Sequence, residues 1–337
     1  MASLRTEVTE VATGLGTLGY GSVAEALAGD VPPPALRNVG PEVWQRLRLA
    51  WHDRSHEGEF LAAFNNGRAL LRADDGLRGR APRIVEWKGA HRDPADDAVP
   101  ADLRIDHVYL VSCKYLSKVL HNASPWALFD RRLQGAQGQR GRGDWYAEVA
   151  PAEHQALYQA VRRLLEGGER LPEKVADLTK SQQRLLAGAG ELTSAEATAT
   201  YAALIERVAA ASAERWIDGL ATERERCSML WRLLRLSAAP YFVLGTGRGE
   251  SLRLRVATPW DWRQQFALRS FEVFPEAGGQ PRVGWRADVA DRATGDDREV
   301  RGHVEVRWSH GRLGGQPEAK VYLDTPHRRV PGYFELR

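Results

Sequence analysis

Two cysteines, Cys113 and Cys227, among 337 residues are too few for a disulfide scaffold. They suit a reducing cytoplasm. No apolar run approaches the roughly 20 residues of a membrane-spanning helix, and the first residues carry no signal-peptide core. A cytoplasmic protein without membrane attachment is expected. Strong charge of one sign is also missing: 47 basic side chains against 44 acidic ones leave +3. Any nucleic-acid surface must therefore be a local patch rather than a field over the whole molecule. The sequence has no Gly-x-Ser-x-Gly, His-Glu-x-x-His or Cys-x-x-Cys, which leaves the hydrolase and redox classes built on those motifs unsupported. Gly245-Thr-Gly-Arg-Gly249 lacks the Lys-Ser/Thr ending of a phosphate loop and reads as a hairpin turn.

With 43% hydrophobic and 27% charged residues, the chain can bury a sizeable core. Its periodicity divides it into four segments. Residues 1–40 are rich in Gly and Pro and read as a lead-in or small cap, with a short helix near Ser22 to Ala28. Residues 41–150 form a mixed core: a helix from Pro41, another from about Glu57 to Arg72, a short strand around Arg83 to Gly89, and a helix restarted at Ser124-Pro125. A helical opening is also expected over Leu116 to Leu120. Residues 151–236 read as helices, including a long pattern from Ser194 to Leu236. Residues 237–337 alternate with period two between Gly- and Asp-rich turns and predict an antiparallel β domain.

The chain is organised around Pro100-Ala-Asp102-Leu-Arg-Ile-Asp106-His-Val-Tyr-Leu-Val-Ser112-Cys-Lys114. Alternating apolar residues predict two strands, with Asp106-His107 as the tight turn between them. Side chains alternate across a strand, so Ser112 and Lys114 share one side. In a hairpin, Asp102 begins one strand and Lys114 ends its neighbour. A carboxylate and a lysine at one end of a sheet are what metal-assisted phosphodiester hydrolysis needs: an anchor for Mg²⁺, and an ammonium beside the phosphate and the attacking water.

The order helix, strand (Glu86), strand (Asp102), strand (Lys114), helix over about residues 50–135 resembles the core of the PD-(D/E)xK nuclease superfamily. That restriction-endonuclease-like α/β (α+β) core runs helix, three-stranded antiparallel meander, helix, further strand (αβββαβ). Pro100-x-Asp102 matches the first half of the motif. Ser112-x-Lys114 matches the second in spacing and lysine, with serine where the family has an acid. The resemblance implies a DNA hydrolase dependent on Mg²⁺ (or Mn²⁺), with Asp102 as metal ligand and Lys114 as catalytic lysine. Some restriction endonucleases of the superfamily with Ser-x-Lys supply the acid from another element. Glu86 is the first choice here, with Glu57, Glu59 and Asp130 as alternatives, and Asp106 as a second ligand or a turn residue. Glu86-Trp-Lys88 with Asp75 gives another assignment of the same motif.

Lys118, His121, Arg131, Arg140 and Arg142 form a basic run after this stretch, and Arg307 and Lys320 lie among aromatics in the β region. These residues suit nucleic-acid contacts, or equally a solvated polar face. The expected activity is a Mg²⁺-dependent DNA endonuclease of restriction or phage-defence type. Its substrate would be double-stranded DNA, and it would act as a homodimer or with another defence protein. Two alternatives stand beside it. One is an inactive nuclease-fold DNA-binding protein, the other a protein-interaction subunit of a defence or repair complex.

Overall fold

Thr6-Glu-Val-Thr-Glu-Val-Ala-Thr-Gly-Leu-Gly-Thr17 has the composition of a loop, yet it forms a buried helix. In the computed structural model, which describes residues 3–89, 99, 101–115, 119–130, 143–188, 194–246, 251–276, 278–308 and 311–337, α1 spans Leu4–Thr17. Ser3 caps its start by accepting a hydrogen bond from the Thr6 N–H. Every residue from Glu7 to Thr17 is buried. Three hydroxyls that would otherwise be orphaned donate within the helix, Thr9 to the Arg5 carbonyl, Thr13 to Thr9 and Thr17 to Gly14, so their burial leaves no unmet donor.

The first part of the chain continues with α2 (Val23–Ala26), β1 (Leu36–Arg37), α3 (Pro41–His52), α4 (Glu57–Arg72), β2 (Val85–Trp87), β3 (Leu103–Ile105) and β4 (Tyr109–Tyr115). The middle holds β5 (Val119–Ala123), α5 (Pro125–Phe129), α6 (Trp145–Val149), α7 (Pro151–Leu164), α8 (Lys180–Ala187), α9 (Ala195–Asp218) and α10 (Glu223–Leu233). Then come β6 (Tyr241–Thr246), β7 (Ser251–Val256), α11 (Pro259–Gln265), β8 (Phe266–Glu276), β9 (Arg282–Asp291), β10 (Asp297–Arg307), β11 (Glu318–Leu323) and β12 (Tyr333–Glu335). The protein is a mixed α+β chain, with two sheets among the described residues. None of the helices among the described residues is long and apolar enough to cross a membrane.

Two compact units share these elements, and neither is continuous. The first takes residues 1–117, 235–266 and 327–337, the second residues 118–234 and 267–326. In the first, a sheet of order β1-β2-β3-β4-β6-β7-β12 is covered by α1 and α4. Val8, Val11, Leu15, Phe60, Phe64 and Leu70 pack on Val85, Leu103, Ile105, Val111, Phe242 and Leu244. β2, β3 and β4 form an antiparallel meander, and β6 lies parallel to β4. Helices α1 and α4 meet backbone to backbone: a Cβ on Gly67 would lie 2.0 Å from the Thr13 carbonyl oxygen, and one on Gly16 2.1 Å from that of Phe64.

In the second unit, the sheet of order β5-β11-β10-β9-β8 buries Val283, Trp285, Val304, Val306, Ala319 and Val321 on one face. Helices α5, α6 and α9 bring Phe129, Trp145 and Trp216 into edge and stacked contacts, and Trp216 also meets Phe271 of β8.

Four features differ from the sequence expectations. The first forty residues are not a cap, because α1 lies at the centre of the first unit. Val119–Ala123 is a strand paired with β11, not a continuation of helix from Leu116. Residues 237–337 do not make one β domain: β6, β7 and β12 complete the first sheet, while β8 to β11 belong to the second. The pattern from Ser194 to Leu236 is two helices, broken at Gly219.

Two tests follow from this packing. Gly67→Ala must push α4 away from α1, and the overpacking should cost about 1–3 kcal/mol, read as a lowered urea midpoint with unchanged slope. In the second unit His154 is 3% exposed, and burial lowers its pKa from 6.5 to about 4. The unfolded chain then binds a proton between those values that the folded chain excludes, so stability is full above pH 6.5 and falls toward pH 4. The loss should total roughly 3 kcal/mol, and His154→Phe should flatten that part of the stability-against-pH curve.

Candidate active site

The hairpin at the centre of the first sheet turns on two residues with left-handed backbone, Asp106 (φ 47°) and His107 (φ 60°). The Val108 N–H closes the turn on the Ile105 carbonyl at 3.0 Å. Two positive φ values in sequence match the right-handed twist of the strands they join, and aspartate tolerates this conformation better than most side chains. Asp106 Oδ1 accepts from the N–H groups of Arg83 (2.8 Å) and Ile84 (3.1 Å). Its carboxylate therefore fastens the turn to the preceding segment, at the end of the hairpin away from Asp102.

The turn sets the register Leu103↔Val111, Arg104↔Leu110 and Ile105↔Tyr109, which brings Asp102 opposite Ser112. Asp102 is 6% exposed and Ser112 1%. Asp102 Oδ2 accepts from the Cys113 N–H at 2.7 Å and from the Ser112 hydroxyl at 3.3 Å. Lys114 follows two residues after Ser112 on the same side of β4. On the other side of β4, the Lys114 backbone pairs with Gly245 of β6. A Cβ at Gly245 would stand 2.2 Å from the Lys114 carbonyl oxygen, so this pairing requires glycine.

A second carboxylate reaches this end of the sheet from α1. Glu10 is 7% exposed, and its Oε2 accepts from the Trp87 indole N–H at 2.6 Å. Burial pushes the Cys113 thiol well up, and the negative charges of Asp102 and Glu10 add to the shift, while a hydrogen bond with Thr13 opposes it. One thiol thus feels both carboxylates. Sequence reasoning missed Glu10 because its segment reads as a lead-in. The signal available was a repeated Thr-Glu-Val, which places acids at helical spacing in an otherwise apolar stretch.

The other candidate acids have contacts of their own. Glu86 is held by Arg104, whose Nε and a terminal nitrogen donate at 2.7 and 2.8 Å, and His107 Nδ1 is 3.0 Å away. Glu86 thus belongs to a cross-strand cluster with Arg104 and the turn residue His107. Asp75 accepts from the Arg337 N–H and pairs with Arg255, away from Glu86, whereas Lys88 hydrogen-bonds its own N–H to the Asp102 carbonyl at 3.0 Å. Glu59 pairs with Arg5 and His56 in the first turn of α4, and Glu57, half-buried, lines a surface hollow with Arg48 and Arg54. Asp130 follows α5 in the second unit, 3.8 Å from Arg215.

Of the proposed nucleic-acid contacts, Lys118, Arg131, Arg140 and Arg142 lie outside the described residues, as does Pro100. His121 sits on β5 opposite Val321. Arg307 is 3.8 Å from Glu305 and Lys320 3.9 Å from Glu318, on a sheet face where Arg282 and Arg286 pair with Glu305 and Glu272. Carboxylates balance cations across that face, which gives it little net field for a polyanion. No group of three or more His, Cys, Asp or Glu side chains placed to hold a metal ion occurs among the described residues. Asp102 and Glu10 are the carboxylates whose charges act on Cys113. Comparison with family models, with curated proteins and with solved structures finds no match.

The Arg104 hydrogen bonds hold the Glu86 carboxyl below its usual range, with the charges of Arg104 and His107 acting in the same direction. A carboxyl depressed by folding adds stability above its unfolded pKa and loses it as pH falls through the folded value. Glu86→Gln should therefore destabilise the protein at pH 7 and make no difference below the ordinary carboxylate range. Chemical denaturation of both forms at pH 7 and pH 2.5 measures this.

Proposed function

We propose that the protein is a divalent-metal-dependent endonuclease of restriction or phage-defence type that hydrolyses phosphodiester bonds in DNA. The observation that carries this reading is the hairpin register, which sets Asp102 beside Ser112 with Lys114 two residues on, all at one end of a central sheet. The surrounding topology supports it. A helix precedes a three-stranded antiparallel meander, a largely helical excursion follows, and the next strand of the sheet, β6, lies along β4. This is the order of elements expected of a restriction-endonuclease-like core.

The donor set suits Mg²⁺ or Mn²⁺. These are hard ions that take oxygen ligands, and Mg²⁺ is commonly held by one or two carboxylates while water and substrate phosphate fill the remaining positions. Asp102 and Glu10 would hold it, with Glu10 taking the role that Ser112 cannot fill. When bound, such an ion polarises the phosphoryl oxygen and lowers the pKa of a coordinated water. The protein's own contribution is positional. The Cys113 N–H and Ser112 hydroxyl fix the Asp102 carboxylate, the Trp87 indole fixes Glu10, and the Lys114 ammonium offsets charge on the phosphate and orients the attacking water.

A second reading has its own observation. The Cys113 N–H and the Ser112 hydroxyl already occupy Asp102 Oδ2, as expected of a carboxylate that only ties β3 to β4. In that case the fold binds DNA and does not cut it.

Incubation of phage genomic, plasmid and single-stranded DNA with the protein and Mg²⁺ or Mn²⁺ separates the two. Wild type should cleave, and Asp102→Ala, Lys114→Ala and Glu10→Ala should each lose about 10²-fold or more, with folding intact by circular dichroism. Glu86→Ala should keep most activity. Metal-independent binding without cleavage would establish the scaffold reading, and cleavage surviving both Asp102→Ala and Lys114→Ala would place the chemistry elsewhere.

A further inference from the structure

In the second unit, one face of α7 and residues 173–176 line a hollow of about 650 Å³. The helix contributes Pro151, His154, Gln155, Gln159 and Arg162, which follow one another at the spacing of a single helix face. The opposite wall is tied down by side chains of the same helix. Tyr158 donates to the Pro172 carbonyl at 2.6 Å. Gln155 donates to the Glu173 carbonyl at 2.8 Å and accepts from the Val175 N–H at 2.9 Å, and Gln159 donates to the same Glu173 carbonyl. The hollow therefore needs no ligand to order it, and its volume falls in the range of small-molecule sites.

Those bonds account for the tyrosine and the glutamines, but not for three other groups of the lining. Arg162 spends Nε and one terminal nitrogen on the Gly168 and Glu169 carbonyls. Like Lys174, it makes no ion pair among the described residues. His154 is 3% exposed, its Nδ1 has no hydrogen-bond partner, and its ring neighbours are Tyr146 and Trp308. The Tyr146 hydroxyl is turned to the Val306 carbonyl. A buried polar group left incomplete is costly, and two cations against the one carboxylate of Glu173 leave the lining positive. The lining also narrows the occupant. An inorganic anion would answer the cations but leave Ala147, Pro151, Val175 and Ala176 facing water in a hollow far larger than itself. A neutral apolar molecule would cover those residues and leave the cations unanswered. An anionic group on an apolar body meets both demands, since a guanidinium binds carboxylate and phosphate oxygens in its planar fork.

We infer that this hollow is a binding site for a small organic anion, with its carboxylate or phosphate at Arg162 and Lys174 and its apolar body against Pro151, Val175 and the His154 ring. The site lies wholly within the second unit and does not rest on the nuclease reading.

The test titrates the full chain at neutral pH with anilinonaphthalene sulfonate, an anionic group on an aromatic body, and follows its fluorescence. Wild type should bind one equivalent. Arg162→Gln and Lys174→Gln should each weaken binding about tenfold, and His154→Phe about fivefold. Arg162→Gln also loses two carbonyl contacts and can melt early. Lys174 is exposed, so Lys174→Gln carries the test in that event. Benzoate and phenyl phosphate should displace the probe while benzylamine should not, and the better competitor of the two tells carboxylate from phosphate. Affinity unchanged in Lys174→Gln or in His154→Phe would overturn the inference. So would displacement by benzylamine as strong as by benzoate, or the absence of saturable binding by all three anions. None of these outcomes bears on DNA cleavage, which is measured separately.

Discussion

Strand β4 can occupy the middle of the first sheet because β6 presents a glycine where the two backbones are closest. At Gly245 even a methyl group would collide with the Lys114 carbonyl oxygen. Much of the first unit depends on that contact. It fixes β4 between the hairpin partner β3 and the parallel neighbour β6, and it gives Asn66 a carbonyl to bind. It also fixes the end of the sheet at which Asp102 and Lys114 lie. The glycine pair between α1 and α4 has a similar role on the face above. It lets α1 approach closely enough for Glu10 to reach Trp87.

Local chemistry made the hairpin legible in the sequence. Period-two alternation from Leu103 to Val111 and a pair of turn-tolerant residues are enough to specify register, and register alone aligns Asp102 with Ser112. The bounds of α4 were also legible, since its apolar spacing is regular and Asp74-Asp75-Gly76 follows it. Helix α1 was not. Threonine and glycine are poor helix formers, and this segment is helical because its surroundings bury it and its hydroxyls bond inward, which no window of ten residues reveals. Glu10 was hidden for the same reason, and the pairing of Glu86 with Arg104 depends on the strand register, which no local window supplies.

Long-range pairing was the other obstacle. The strands from Tyr241 onward were readable as strands, but nothing in their alternation distinguishes those that join β4 from those that form a second sheet. β6 and β4 are partners across more than a hundred residues, and Val119–Ala123 pairs with β11 at a still greater separation. A short apolar run such as Val119-Leu120 suits helix and strand alike, and its distant partner decides between them.

Placing most of the second unit between β4 and β6 also governs the order in which the molecule can be assembled. As the chain emerges from the ribosome, β3 and β4 can zip locally around Asp106-His107, but β4 then waits with one edge unpaired until residues 118–234 have been made. Closing a loop of that length costs only modestly more entropy than closing a short one, yet contacts so distant in sequence slow folding. An unpaired edge strand is open to wrong partners in the meantime. The segment 118–234 can begin forming its helices during this interval, although its sheet also needs β8 to β11. Asp102 and Lys114 are thus synthesised early and framed late, and a nascent chain carries the hairpin well before it carries the parallel strand that completes that part of the sheet.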